Sequence, residues 1–251
     1  MTFSIDHAVI FVEDLSEART DFERVGFQVT PGGTHAGGLT KNALIPLADG
    51  AYLEMLAFNI PEMHRDLPHA EALRAVSGTT PMDHRFLPRG AEGEGFRDLG
   101  LVTVGIREVV DNARSAGLEI EGPFPGRRMR PDGREVEWEL AFPKDPGLPF
   151  LIEDVTDRGL RVPSGDARKH PNGVTGIGEV VVQVDRFRRT VTRYGELLGL
   201  DARVDGRTAS FRLSDTVIMI TTERESSLRL RAGPSGALGV HECRGARIEM
   251  V

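Results

Sequence analysis

The sequence predicts an α+β fold built from repeated β-α-β-β-β modules, and three observations support this prediction. Residues 5–27 and 177–200 superpose at an offset of 172 until one extra residue near Leu198. A weaker third copy begins at residue 101, between the two strong ones. Each copy is followed by further short apolar stretches that are typical of strands. Internal similarity of this kind decides the fold class, because each copy is one supersecondary unit.

The helix of each strong copy is predicted from apolar residues that recur every three or four positions, the period of a helix with one buried face. These residues are Leu15, Ala18, Phe22 and Val25 in the first copy, and Phe187, Val191, Tyr194 and Leu197 in the last. Gly26 and Gly199 follow the two stripes and suit a left-handed C-terminal cap. In the middle copy, a short helix is predicted over 109–116, ended by Gly117.

The strands follow from short apolar runs bounded by turn residues. They are predicted at 27–30, 42–46 and 51–58 in the first copy, at 101–106, 118–121, 135–142 and 149–155 in the middle copy, and at 202–204, 209–213 and 216–221 in the last.

Two regions interrupt the repeat. Residues 61–95 are rich in His, Pro and Gly, with a short helical stretch at 68–76, and we interpret them as a connection that serves as a lid. The tail from residue 224 contains a polar loop and one or two strands, at 239–243 and 246–251. It is too short for a complete fourth module.

The predicted domain division places two modules in residues 1–160 and the third in 170–251. The first two modules occupy 1–60 and 96–158, joined by the connection. Because such modules bury their open edges by pairing, the third needs a partner. Either the tail supplies a remnant half or two chains pair through it. We expect the first, in a monomer or a homodimer.

Composition excludes several classes of function. A net charge of −7 argues against a general nucleic-acid surface. No apolar stretch approaches the roughly 18–20 residues that span a bilayer, and the first residues are typical of a strand, not of a signal peptide. Cys243 is the only cysteine, which fits a reducing compartment. No phosphate-binding glycine fingerprint occurs. We expect a soluble cytoplasmic protein without a nucleotide cofactor, a nucleic-acid partner or a membrane partner.

Several segments resemble the glyoxalase-like branch of the vicinal oxygen chelate superfamily. They are IDHAVIFVEDL at 5–15, PGGTHAGGLTKNALIPL at 31–47, AYLEML at 51–56, FLIEDV at 150–155 and HPNGVTGI at 170–177. The resemblance implies tandem modules paired edge to edge around a cleft, as in the glyoxalase, bleomycin resistance and dihydroxybiphenyl dioxygenase fold. Members include lyases, epimerases, dioxygenases and antibiotic-resistance proteins, so the fold implies the place of the site and leaves the reaction open.

The resemblance implies metal ligands on the first and last strands of paired modules. His7 matches the first-strand position and Glu54 the last-strand carboxylate. In the middle module Glu153 matches Glu54, and Leu101 stands where His7 does.

In the last module, Glu179 stands at the position of His7 and Met219 at that of Glu54. If modules one and two pair, the implied ligands are His7, Glu54 and Glu153. If modules one and three pair, Glu179 replaces Glu153. One imidazole and two carboxylates suit a divalent ion such as Zn, Mn, Fe or Ni.

Three side chains near this centre are candidates for chemistry or substrate contact. A carboxylate in a half-buried strand is costly unless it is paired or bound to a metal, so Glu54 is predicted as a catalytic base rather than a plain salt-bridge partner. In the glycine-rich loop at 31–42, His35 is predicted to assist proton transfer, and Asn42 to contact the substrate.

The segment RRMRPDGREVEW at 127–138 supplies further candidates. Arg128 and Arg130, with Arg127, could clamp a carboxylate or phosphate of the substrate, although a solvated charged hairpin explains the same run. Trp138 is predicted as an aromatic wall of the cleft or as ordinary core packing.

Two functions of different class follow. The first is a metal-dependent lyase, isomerase or dioxygenase acting on a small oxygenated substrate. The second is a metal-free protein that binds a small molecule or antibiotic in the same cleft. We favour the enzyme, and the incomplete ligand sets of the second and third modules support the binding protein as the alternative.

Overall fold

The structure is a computed structural model, and it describes residues 3–234 and 236–251. Its strands form a closed eight-stranded barrel and an open seven-stranded sheet. Met1, Thr2 and Ser235, which the predicted domain ranges include, lie outside the described residues. Within the described ranges, no helix is long and apolar enough to cross a membrane.

The first module has the predicted order of elements. They are β1 (Ser4–Phe11), α1 (Leu15–Arg24), β2 (Thr30–His35), β3 (Thr40–Pro46) and β4 (Tyr52–Phe58). Helix α1 begins after Asp14, whose carboxylate accepts hydrogen bonds from the backbone nitrogens of Ser16 and Glu17 at 2.7 and 2.9 Å. Ala18 and Phe22 are fully buried, so the helix predicted from apolar spacing is confirmed.

The second module also has five elements, but its first strand is shifted from the prediction. The elements are β5 (Gly95–Val102), α4 (Ile106–Ser115), β6 (Ile120–Met129), β7 (Glu135–Pro143) and β8 (Phe150–Asp154). The strand predicted at 101–106 was wrong, because it lies several residues too far along the chain. The exposed Arg97 interrupts the run of buried residues, so the sequence pattern did not indicate the true start of the strand. Gly105, with a φ of 72°, ends the turn directly before α4.

The two modules close into one barrel. Strand β1 pairs antiparallel with β5 along one edge, and β2 pairs antiparallel with β6 along the other. Closure leaves no free edge strand. The predicted edge-to-edge pairing is therefore confirmed, and module one pairs with module two rather than with module three.

Segment 31–42 was predicted as a glycine-rich loop, but most of it belongs to the hairpin of β2 and β3. A Cβ on Gly32 would lie 1.9 Å from Asn42 Oδ1, and a Cβ on Gly33 would lie 2.1 Å from the carbonyl oxygen of Met129. These two glycines are therefore required by the close packing of β2 between β3 and β6.

The connection contains two helices, where the sequence predicted one helical stretch. They are α2 (His69–Ala75) and α3 (Pro81–Gly90). Helix α3 begins with a capping box in which Thr80 Oγ1 accepts from the Asp83 backbone nitrogen at 3.1 Å, and the Asp83 carboxylate accepts from the Thr80 nitrogen at 2.9 Å. This capping pattern, with Pro81 in the first turn, could have located α3 from the sequence.

Helix α3 covers the barrel interior with aromatic contacts. The ring of Phe86 packs edge-on against Phe11 and Phe150, with centroid distances of 5.7 and 5.9 Å. The short helix α5 (Arg158–Arg161) follows β8, in the linker to the third module.

The third module and the tail form the open sheet. Its elements are β9 (Val174–Gln183), α6 (Phe187–Leu198), β10 (Arg203–Asp205), β11 (Thr208–Leu213), β12 (Thr216–Thr221), β13 (Ser227–Ala232), β14 (Gly239–Cys243) and β15 (Ala246–Met250). The tail supplies three strands, where one or two were predicted. Strand β13 was missed because Arg229 and Arg231 alternate with its buried leucines.

The tail repeats part of the second module. Strand β13 pairs antiparallel with β9, as β5 does with β1, and β15 pairs parallel with β13, as β8 does with β5. Within the described residues, the tail has no counterpart of α4 or β6. The sheet therefore ends open, at β10 and β14.

Two apolar clusters account for most of the core. The larger one lies outside the barrel, where residues such as Ile10 and Phe22 pack in one cluster with Phe211 and Ile248 of the open sheet. The smaller one fills the barrel itself and includes Phe150. The barrel interior is thus apolar except where the polar side chains described next line it.

Candidate functional site

His7 and Glu54 face each other inside the barrel. His7 lies on β1 and Glu54 on the adjacent parallel strand β4. The His7 Nε2 atom lies 3.2 Å from Glu54 Oε2, and both side chains are buried. The structure thus brings together the two residues on which the predicted site is centred.

Asp6 orients His7, and sequence reasoning missed it. Asp6 Oδ1 lies 2.6 Å from His7 Nδ1, although successive strand residues normally point to opposite faces. A register shift between Ile5 and His7 in the β1–β5 ladder accounts for this, because such a bulge re-aims a side chain. Since Nδ1 is bound to Asp6, Nε2 is the nitrogen that faces Glu54 and the cavity.

Two arginines of α5 pair with Asp6, and neither was predicted. Arg161 donates to both carboxylate oxygens of Asp6 and to the Tyr52 hydroxyl, each at 2.8 Å. Arg158 donates to Asp6 Oδ2 at 2.5 Å. Burial favours the protonated carboxyl, but the ion pair with Arg161 and the hydrogen bond from His7 hold the pKa of Asp6 well below its usual range.

His7 and Glu54 stabilise each other's charged form. Burial alone would raise the pKa of Glu54, but the hydrogen bond and charge of His7 lower it from 4.5 to about 2. Burial opposes protonation of His7, yet its hydrogen bonds to Asp6 and Glu54 raise its pKa above the usual 6.5. These two shifts both favour the ion pair over the neutral pair.

Asn42 and His35 extend the polar cluster on the other side of Glu54. Asn42 Nδ2 donates to Glu54 Oε1 at 2.5 Å and lies 3.4 Å from His35 Nε2. His35 Nδ1 is hydrogen-bonded to Thr40 Oγ1 at 3.0 Å. Burial, aided by the nearby charge of Arg128, lowers the pKa of His35 to about 4, although the charge of Glu54 opposes this. His35 is therefore neutral at physiological pH.

Arg128 points into the barrel, whereas Arg130 does not line the cavity. Arg128 Nη1 donates to Asn42 Oδ1 and its Nη2 to the Arg161 carbonyl oxygen, both at 3.0 Å. Arg130 instead donates to Asp132 and to the Leu160 carbonyl oxygen, where it holds a surface turn.

The two remaining candidates of this segment, Trp138 and Arg127, lie in different places. Trp138 lines the cavity, and its ring lies edge-on to His35 at a centroid distance of 5.9 Å. Arg127 is exposed and lies 3.6 Å from Glu135 across the hairpin. The structure thus places Trp138 in the cluster and Arg127 outside it.

Glu153 lies away from the site, contrary to the prediction. Its two carboxylate oxygens accept hydrogen bonds from the backbone nitrogens of Gly105 and Ile106 at 2.8 Å, where α4 begins. A carboxylate is favourable at this end of a helix. Glu153 therefore caps α4 and does not join His7 and Glu54.

The prediction for Glu153 was wrong because the second module was aligned with the first one residue out of register. Tyr52 lies opposite His7 in the β1–β4 pair, and Phe150 lies opposite Gly100 in the equivalent β5–β8 pair. The counterpart of His7 is therefore Gly100, not Leu101, and the counterpart of Glu54 is Ile152. In a strand, a shift of one residue moves a side chain to the opposite face.

The reserve ligand Glu179 lies on β9 of the open sheet, in the position equivalent to that of His7. Its Oε1 accepts from Arg229 Nη1 at 3.2 Å, and its side chain is partly exposed. The closed barrel does not include β9, so Glu179 does not join the cluster.

A small cavity adjoins the cluster. Its polar wall consists of His7, His35, Asn42, Tyr52, Glu54, Arg128 and Arg161, and its apolar wall of Met82, Phe86, Trp138, Leu140, Phe150 and Ile152. The accessible volume is about 20 Å³, which is room for one or two water molecules. Met82 and Phe86 come from α3, so this helix lies over the site as the predicted lid would.

The metal centre predicted from His7, Glu54 and Glu153 is not assembled. Among the residues that the structure describes, no group of three or more His, Cys, Asp or Glu side chains is placed to hold a metal ion. His7, His35 and Glu54 line the cavity, but they already bond to Asp6, Thr40, Asn42 and each other. Divalent ions usually take three or four protein ligands in such sites, and Glu153, the predicted third ligand, is not among these residues. The donor set therefore does not fit the predicted ion.

Comparisons with known proteins agree with this architecture. Among solved structures, a hypothetical protein from Staphylococcus aureus has a TM-score of 0.79 and 19% identity, covering 99% of this chain and 100% of that chain. A mutant of 4-hydroxymandelate synthase from Streptomyces coelicolor has a TM-score of 0.53 and 11% identity, covering 92% and 70%. Both show a shared fold. A search among curated proteins finds no match.

The glyoxalase-like domain is the family that the sequence itself matches. The family's sequence profile aligns with residues 5–198, which comprise the whole barrel and the first strand and helix of the third module. The chain therefore belongs to the glyoxalase-like domain family.

Proposed function

We propose that this protein is an enzyme that binds a small oxygenated molecule inside the barrel and moves protons on it with Glu54 and His7. The observation that carries the proposal is the buried contact between these residues, which adjoins the cavity at an Nε2–Oε2 distance of 3.2 Å. The donor set favours proton transfer by side chains over the metal-dependent reaction predicted from the sequence. The reaction class is isomerisation or elimination next to a carbonyl group.

Ligand binding would tune Glu54 for this task. While Glu54 is paired with His7, its pKa of about 2 makes it a weak base at neutral pH. A ligand oxygen that takes the hydrogen bond from His7 Nε2 removes the main influence that lowers this pKa. Burial then raises the pKa towards the range in which a carboxylate is an effective general base.

The reaction step uses the chain's own groups throughout. Glu54 removes a proton from the carbon beside the carbonyl, and the electron pair of the broken C–H bond moves to form an enolate. His7 Nε2–H donates to the enolate oxygen and stabilises its charge, while Asp6 holds His7 in orientation. In a 2-hydroxy ketone, the proton of the hydroxyl group then moves to the former carbonyl oxygen. Glu54 returns its proton to the former carbonyl carbon as the C=O bond forms at the neighbouring carbon, which completes an isomerisation with no redox change.

A metal-free binding protein is the second candidate, because α3 covers the cavity with Met82 and Phe86. The space inside admits only one or two water molecules, so a larger ligand requires α3 to move in either candidate. A protein that sequesters a small molecule would benefit from a helix that covers it. The two candidates differ in turnover, since only the enzyme releases a changed ligand.

Deuterium exchange tests the enzyme. A panel of 2-hydroxy ketones and 2-oxo acids is incubated in D₂O, and loss of the C–H signal is followed by NMR. We expect Glu54→Gln to slow the enzymatic exchange by about 10²–10⁴-fold. Glu179→Gln, at the equivalent position in the open sheet, is the matched control and should retain the full rate.

Elemental analysis of protein purified without a metal-affinity tag tests the absence of a metal requirement. We expect no stoichiometric metal and an exchange rate that EDTA leaves unchanged. Stoichiometric metal together with loss of exchange in EDTA would contradict proton transfer by side chains alone. Ligand binding without exchange of any panel compound would favour the binding protein.

A further inference from the structure

Arg128 carries an unused hydrogen-bond donor beside the cavity. In the described part of the chain, three buried side-chain polar atoms lack a partner: Asp83 Oδ1, Arg128 Nε and Thr222 Oγ1. Of these three residues, Arg128 is the one that lines the cavity. Buried donors are normally satisfied, and this one belongs to a guanidinium whose two terminal nitrogens are already bound. An acceptor atom is therefore missing at Nε.

The charges around the cavity indicate the same kind of ligand. Arg161 pairs with the carboxylates of Asp6 and Asp154. Arg128 is also buried and lines the cavity, but within the described residues it forms no ion pair. A ligand with one negative charge would balance the buried charge of Arg128.

The remaining walls define the rest of the ligand. Phe86, Phe150 and Leu140 present apolar surface to the cavity, opposite the polar cluster. A compact charged group attached to an apolar body would satisfy both walls at once.

We propose that the ligand is a small organic anion whose carboxylate accepts a hydrogen bond from Arg128 Nε while its apolar body packs against Phe86 and Phe150. This inference rests on the proposed function, because it concerns the same cavity, and it names the substrate class. A carboxylate suits this guanidinium because charge-assisted hydrogen bonds are shorter and stronger than neutral ones.

The geometry also limits how far the reacting carbon lies from the carboxylate. One amide group, that of Asn42, bridges Arg128 Nη1 at 3.0 Å and Glu54 Oε1 at 2.5 Å. The guanidinium of Arg128 and the carboxylate of Glu54 therefore lie on either side of one amide group. This proximity favours reaction at a carbon near the ligand's carboxylate, as in 2-oxo and 2-hydroxy acids.

Paired probes test the inference on the intact wild-type chain. The acids 3-phenylpropanoate and 4-methylpentanoate and their amides are titrated by calorimetry, because each acid and its amide differ mainly in charge. We expect each acid to bind at least tenfold more tightly than its amide. Equal affinities, or no binding of either acid, would overturn the inference.

Arg128→Lys separates the role of the guanidinium from that of charge alone. This variant keeps the positive charge and lacks Nε, and we expect it to weaken acid binding at least tenfold while amide binding stays unchanged. Arg130→Lys is the control and should bind as the wild type does. If Arg128→Lys does not fold, the comparison of each acid with its amide on the wild-type chain still tests the inference.

Failure of this inference differs from failure of the proposed function. Acid binding that depends on Arg128, with no proton exchange in any acid, would retain the ligand class and contradict the enzyme. Proton exchange on uncharged ketones, with equal affinity for acid and amide, would retain the enzyme and contradict the ligand class.

Discussion

The barrel and the open sheet are built from equivalent strands but present different side chains at equivalent positions. His7 pairs with Gly100 at the register shift in the barrel, and Glu179 pairs with Arg229 at the corresponding shift in the open sheet. Met219 stands on β12 where Glu54 stands on β4. The alignment of the third module predicted from the sequence, with Glu179 in place of His7, agrees with this register.

The difference in solvent exposure separates the two sets of charges. In the open sheet, Arg229 bonds Glu179 at 3.2 Å and Glu249 at 2.9 Å, with 37% of its side chain exposed. In the barrel, the side chain of His7 is 4% exposed. Strand β6 and helix α3, which lack counterparts among the described residues of the tail, exclude water from the barrel. The exclusion of water from the closed barrel, more than the types of residue present, distinguishes its reactive cluster from the exposed ion pairs of the open sheet.

The largest expected difference in stability is between two arginines. Arg161→Met should destabilise the protein by about 3–5 kcal/mol, because it leaves the buried charge of Asp6 without its main partner. Arg229→Met in the open sheet should cost about 1 kcal/mol or less, since exposed ion pairs contribute little. Chemical denaturation of both variants measures the difference. Equal losses would contradict the view that closure strengthens the charges of the barrel.

Local sequence patterns predicted much of the fold. The helices α1 and α6 were located because their apolar stripes are long and end at glycine, as at Gly199 with a φ of 64°. Strand β13 and helix α3 were missed for opposite reasons. Arginines interrupt the apolar pattern of β13, whereas α3 has clear capping residues but lies in a region interpreted as a connection.

The candidate site was predictable only in part, because it is assembled from distant segments. His7 and Glu54 lie in strong family motifs and were found. Asp6 was missed because a bulge re-aims it, and a strand of strict alternation would point it away. Arg161, which lies 155 residues from Asp6 in the chain, makes a contact that no local pattern encodes.

The pH dependence of stability should also distinguish the barrel. The pKa of His35 is lowered from 6.5 to about 4 by burial, so between these values the unfolded chain binds a proton that the folded chain excludes. The stability due to neutral His35 is complete above pH 6.5 and falls as the pH decreases, by about 3 kcal/mol at pH 4.

Urea unfolding at pH 7.5 and at pH 4.5 measures this contribution. His35→Gln should remove it, so that the variant loses less stability on acidification than the wild type does. His241→Gln, on β14 of the open sheet, is the control and should follow the wild type. A His35 variant that is as sensitive to acid as the wild type would show that another group causes the loss.

The smallest expected effect concerns the glycine that faces His7. A Cβ on Gly100 would lie 2.8 Å from His7 Cε1 and 2.9 Å from Phe150 Cζ. His7 is held by Asp6 and Glu54, so it has little freedom to move away. Gly100→Ala should therefore cost about 1–3 kcal/mol through overpacking and slow exchange by turning the imidazole. Arg229→Ala, at the equivalent position of the open sheet, should cost about 1 kcal/mol or less. An unchanged denaturant midpoint for Gly100→Ala would contradict this prediction, because it would mean that a methyl group fits beside His7.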